Sequence, residues 1–144
     1  MLFRSLLDGK TQIAVEYAYR YHQDYQMVLW ARAESTEALI SSYVTIASLL
    51  HLPEREAKEQ DITVQAVKIW LQTHRGWLLI LDNADELMLL ADFLSPNFEG
   101  HLLLTTRAAA TGRLARLLEL QSRLGEGAHP SEERLKTVPH SALA

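Results

Sequence analysis

Gly9-Lys10-Thr11 stands directly before a stretch with helical spacing, and these residue types in this order suit an anion. A glycine lets the backbone come close to a phosphate, while successive N–H groups and the helix amino terminus form a positive nest. The lysine adds mobile charge, and the threonine hydroxyl can ligate magnesium. As a bare tripeptide it describes equally well a turn before a helix with a solvated lysine. The second candidate is Asp82, which ends the most apolar run of the chain, Trp77-Leu78-Leu79-Ile80-Leu81. A carboxylate at the carboxyl end of a buried parallel strand lies where open α/β sheets bind ligands, and phosphate-bound magnesium needs such a group. Capping a following helix is the competing role for Asp82. Third, Thr105-Thr106-Arg107 follows another apolar run. A polar pair and a cation there suit a terminal phosphate, or form an ordinary polar strand end. The ordered set of three is more specific than any one member.

The elements that must position these groups are legible as periodicities. Ile13, Ala14, Tyr17, Ala18 and Tyr21 recur at helical spacing after Gly9. Met27 to Ala31 is a short apolar run that reads as a buried strand. Ser35 or Thr36 caps a helix with Leu39, Ile40, Tyr43, Ile46, Ala47 and Leu50 on its apolar face, closed by Pro53. A third helix presents Ile62, Ala66, Ile69 and Trp70, with Gly76 past its end. The Trp77–Leu81 strand follows, then a short helix over 85–93, then a strand over His101 to Thr105. Trp30, Trp70 and Trp77 read as core anchors. Three strands without polar alternation, separated by helices, predict an α/β fold, three-layered, with a parallel sheet covered on both faces. The organisation is a core over 1–113, a helix over 114–124 through Leu114, Leu117, Leu118 and Leu124, and a disordered, flexible tail over 125–144.

Composition limits the function classes. The chain has 144 residues, 48% of them hydrophobic and 22% charged, with a net charge of -4, as in one soluble domain. Its basic residues are scattered, so no nucleic-acid footprint is expected. Cysteine is absent, which excludes disulfides and thiolate metal sites and fits a cytoplasmic location. No apolar run reaches the roughly 18 residues of a membrane span. The six histidines form no HExxH motif, and no G-x-S-x-G elbow occurs.

These residues together resemble the NB-ARC family, signalling ATPases of the STAND class of P-loop proteins, in particular bacterial forms followed by tetratricopeptide repeats. Gly9-Lys10-Thr11-Gln12-Ile13-Ala14 is similar to the end of the Walker A motif and its helix, and Val28 to Ala33 to the second strand. Trp77 to Asp82 is similar to Walker B, and Leu102 to Arg107 to the strand ending in Thr-Thr-Arg. The resemblance implies a P-loop NTPase-like sheet and an ATP/ADP switch that hydrolyses slowly and signals by oligomerising. It implies nucleotide contacts from Gly9, Lys10, Thr11, Gln12 and Arg107, and Mg2+ held by Thr11 and Asp82. The chain departs from the pattern in three places. Arg4 stands where the first Walker A glycine belongs, and Leu6-Leu7-Asp8 replaces Gly-Gly-Ile. Asp8 sets a carboxylate beside the phosphate nest, a repulsion of up to roughly 3 kcal/mol at about 5 Å and an effective dielectric near 20. Asn83 follows Asp82 where a second acid would polarise water, so weak binding without useful turnover is expected.

The family's sheet order makes the three strands neighbours and places the missing first and fifth strands beyond the last of them. The Leu102–Thr105 strand is then an exposed apolar edge. The resemblance thus implies an NB-ARC module truncated at both ends, and the alternative reading is a non-catalytic interaction fragment that pairs through that edge with itself or a partner protein.

Overall fold

The computed structural model describes residues 9–106 and 135–138. The apolar runs become neighbouring parallel strands: β1 (Met27–Arg32), β2 (Arg75–Asp82) and β3 (Glu99–Thr105). A fourth strand, β4 (Leu135–Val138), pairs parallel with β3, and the sheet order is β1-β2-β3-β4. Helix α1 (Gly9–Tyr21) precedes β1; α2 (Thr36–Leu49) and α3 (Gln60–Thr73) join β1 to β2; the single turn α4 (Leu87–Leu90) lies between β2 and β3. Parallel neighbours cannot be joined by a hairpin, so each connection must cross over the sheet, and the two helices before β2 perform that crossing. The chain is thus a mixed α/β protein with a parallel sheet. None of the described helices is long and apolar enough to cross a membrane.

Strand alternation divides the sheet's residues between two faces. Leu29, Ala31, Trp77, Leu79, Leu81, Leu102 and Leu104 pack with Leu39, Tyr43, Ile46, Ala47, Val64, Val67 and Leu71 of α2 and α3. The opposite face buries Leu78, Ile80 and Leu103 against Ala14 of α1, with Ile13, Tyr17, Ala18, Tyr25 and Trp30 half-buried around them. Ser35 starts α2 by accepting the Ala38 N–H at 3.1 Å, an N-cap. The Tyr43 hydroxyl donates to the Phe93 carbonyl at 2.7 Å and ties α2 to the segment before β3; burial raises this phenol's pKa.

At the amino end of the sheet, aromatic packing sets the geometry. Trp77 is 1% exposed, and its indole N–H reaches the carbonyls of Leu71 at 3.0 Å and His74 at 2.9 Å. Its ring covers Gly100 so closely that a Cβ there would fall 2.1 Å from Trp77 Cδ2. Gly76, at φ +74, is the second residue of β2 and takes the left-handed conformation where the register with β3 shifts between Arg75 and Leu78.

Several sequence expectations change. Helix α3 buries Thr63, Val64, Val67 and Leu71, whereas Ile62 and Ile69 are exposed and Ala66 and Trp70 half-buried. The Thr63 hydroxyl donates to the Glu54 carbonyl at 2.7 Å on the same face of this doubly apolar helix that enters the core. Of the tryptophans, only Trp77 is buried; Trp30 is half-buried, and Trp70 stacks on His74 with ring centroids 4.3 Å apart. The expected helix over 85–93 shrinks to α4, whose N-cap, Glu86, makes no side-chain capping bond. Within the expected disordered tail, residues 135–138 form β4, so the edge of β3 predicted to be bare is occupied. The helix over 114–124 lies outside the described residues.

Candidate functional site

The carboxyl ends of β2 and β3 bring polar groups together at a buried point. Asp82 is 8% exposed, and Thr105 and Thr106 are fully buried. The Thr105 hydroxyl donates to Asp82 Oδ1 at 2.6 Å and accepts the Asn83 N–H at 2.8 Å. The Thr105 carbonyl accepts the Ala84 N–H at 2.8 Å, and Ala33 donates its N–H to the Asp82 carbonyl at 2.7 Å. Asn83 has φ +59, a left-handed conformation that asparagine tolerates better than most residues, and it turns the chain sharply after Asp82. One turn further on, the Thr106 hydroxyl donates to Asp85 Oδ1 at 3.4 Å. Asp82 does not cap a helix, because α4 begins only at Leu87 behind Glu86.

The direction of α1 relates its first residues to the same edge. Its last residue, Tyr21, leads through a 3-10 turn at His22–Asp24 into the start of β1, so the helix ends at the amino edge of the sheet. At that edge Tyr25 Oη and His101 Nδ1 lie 2.7 Å apart. Ala14 packs on Leu78, Ile80 and Leu103, in the middle of the strands. Five residues of helix cover roughly 7 Å, so α1 runs on from Ala14 toward the carboxyl edge, with Gly9, Lys10 and Thr11 as its first three residues. Gln12 is half-buried in the same turn. The positive end of the helix dipole therefore points toward the edge that carries Asp82. Arg107 lies outside the described residues.

The donor set was tested against a divalent cation. Among the described residues no group of three or more His, Cys, Asp or Glu could hold a metal ion. Asp82 is a single buried carboxylate at this edge, so a cation held there would have to keep water and phosphate oxygens as most of its ligands, as magnesium does.

An open apolar groove of about 460 Å³ lies elsewhere, lined by Val15, Ala18, Tyr19, His22, Val28 and Trp30. It sits over β1 on the α1 face. Its one imidazole, His22, has Nδ1 2.6 Å from the Tyr19 carbonyl oxygen. With so few polar anchors it is a poor place for a charged ligand. The sequence reading missed the groove and the role of the Thr105 hydroxyl. A threonine at a strand end is a visible signal, but its partner lies 23 positions away.

Comparison of the chain with protein-family models, curated proteins and solved structures gives no match.

Proposed function

We propose that this chain is an ATP/ADP-binding module of the NB-ARC kind, with a P-loop NTPase-like sheet and a cytoplasmic location. The observation that carries the reading is the meeting of two features at one sheet edge. Asp82 is buried and hydrogen-bonded at the end of β2, and α1 directs its amino end toward the same side. In this reading the backbone of Gly9 to Gln12 cradles phosphate, Lys10 neutralises it, and Arg107 meets the terminal phosphate. Thr11 and Asp82 hold Mg2+, which supplies positive charge to the phosphate oxygens. Asn83 carries no carboxylate to act as a base, so the module binds and exchanges nucleotide without useful turnover. The test is a titration with fluorescently labelled ADP and ATP, with and without magnesium, on the wild type and Lys10→Ala. Saturable binding that Lys10→Ala weakens at least tenfold is the expected result. Absent or mutation-insensitive binding removes the proposal.

A further inference from the structure

Thr105 is fully buried, so its hydroxyl cannot touch a ligand in the solvent-facing site. Both of its hydrogen-bonding functions are directed inward: the proton goes to Asp82 Oδ1 at 2.6 Å, and the oxygen receives the Asn83 N–H at 2.8 Å. The same residue's carbonyl takes the Ala84 N–H at 2.8 Å. Three consecutive residues at the end of β2 are thereby fastened to one residue of β3, and the carboxylate between them is held in orientation. A short hydrogen bond from a neutral hydroxyl to an ionised oxygen is among the stronger kinds, and here it is shielded from water. It leaves the negative charge on Asp82 and restricts the side chain's rotation.

We infer that Thr105 is a positioning residue that orients the Asp82 carboxylate for a divalent cation. This rests on the nucleotide–magnesium reading of the site and deepens it. Removing the group that orients a metal-binding carboxylate costs roughly 10- to 100-fold in metal affinity. The isosteric Thr105→Val keeps the volume and the β-branch but removes the hydroxyl, whereas Thr105→Ser keeps the hydroxyl and removes the methyl.

The experiment measures two quantities on wild type, Thr105→Val and Thr105→Ser: the affinity for labelled ADP with and without Mg2+, and the affinity for Mn2+ in the presence of inorganic phosphate by electron paramagnetic resonance. Circular dichroism verifies that each variant is folded. Thr105→Val is expected to lose roughly 10- to 100-fold in Mn2+ affinity, together with the magnesium-dependent part of ADP binding. Its magnesium-free ADP affinity should stay within about twofold, a split that a general loss of structure does not produce. Thr105→Ser should stay within about threefold of wild type in both measurements. If Thr105→Val fails to fold, Thr105→Ser still decides the matter, because a serine variant that loses cation binding shows that the hydroxyl is not what matters. Wild-type cation affinity in Thr105→Val overturns the inference and leaves the nucleotide reading standing. Conversely, ADP binding absent from the wild type while Mn2+ binding still depends on the hydroxyl removes the nucleotide reading and retains the inference. A wild type that binds neither overturns both.

Discussion

The two ends of the β2–β3 pair are built from the same two strands yet hold different kinds of matter. At the amino end, Trp77 lies over Gly100, Phe98 packs beside it with ring centroids 5.9 Å apart, and the exposed Arg75 and Glu99 form an ion pair outside. The buried contacts of Trp77 there are packing except at the indole N–H, which is satisfied by two carbonyls. At the carboxyl end, Asp82, Thr105 and Thr106 are buried together. Burying a carboxylate is costly unless it is hydrogen-bonded, and an apolar pair of similar volume would close the sheet without that cost. The lesson is that the first end makes the fold and the second tolerates a penalty that folding does not require. In the proposed reading, that penalty is what a binding site requires.

The contrast can be broken from either side. Trp77→Ala should have the largest effect, a loss of about 3–5 kcal/mol of stability in urea denaturation, since it empties the amino end of the larger core. Gly100→Ala comes next. Its new methyl must displace the Trp77 ring or the strand, at about 1–3 kcal/mol, and the fluorescence of Trp77 should change with it. Asp82→Asn should cost least, about 1 kcal/mol, because the amide oxygen can still accept the Thr105 proton while the charge is lost. The same substitution should abolish the magnesium dependence of ADP binding in the labelled-nucleotide titration. If Asp82→Asn were instead as destabilising as Trp77→Ala, the carboxyl end would be structural and the contrast would fail.

Much of this arrangement was legible before any coordinates. Met27 to Ala31, Trp77 to Leu81 and Leu102 to Leu104 are continuous apolar runs because a parallel strand covered on both faces has no polar side to show. The α2 face was equally plain, since Leu39, Tyr43, Ile46 and Ala47 follow one spacing and are buried. Helix α3 is ambiguous because Ile62 and Ile69 make a second apolar stripe; Val64, Val67 and Leu71 are the ones that enter the core, and the Thr63 bond to the Glu54 carbonyl lies on that same face. Strand β4 is illegible because Leu135-Lys136-Thr137-Val138 is only four residues long, has no alternation and sits among glycine, proline and charge, so pairing with β3 defines it more than its own composition does. At the candidate site Asp82 was recognisable by position. The bond that holds it was not, since it joins residues brought together only by the β2–β3 register.

That register also governs the order of events as the chain is made. Met27 finds its partner only at Trp77, about 50 positions later, and all of α2 and α3 is synthesised in between. At about 5–20 residues per second the ribosome takes roughly 3–10 s to deliver β2. Pairings so distant in sequence also slow the folding search itself. During that interval the apolar stretch Val28 to Ala31 has emerged while its partner strand β2 has not; α1, already made, can cover one side of it, and α2 the other. Nascent β1 is therefore the segment on which a chaperone would be expected to act, and the moment of risk ends when Trp77 to Asp82 arrives.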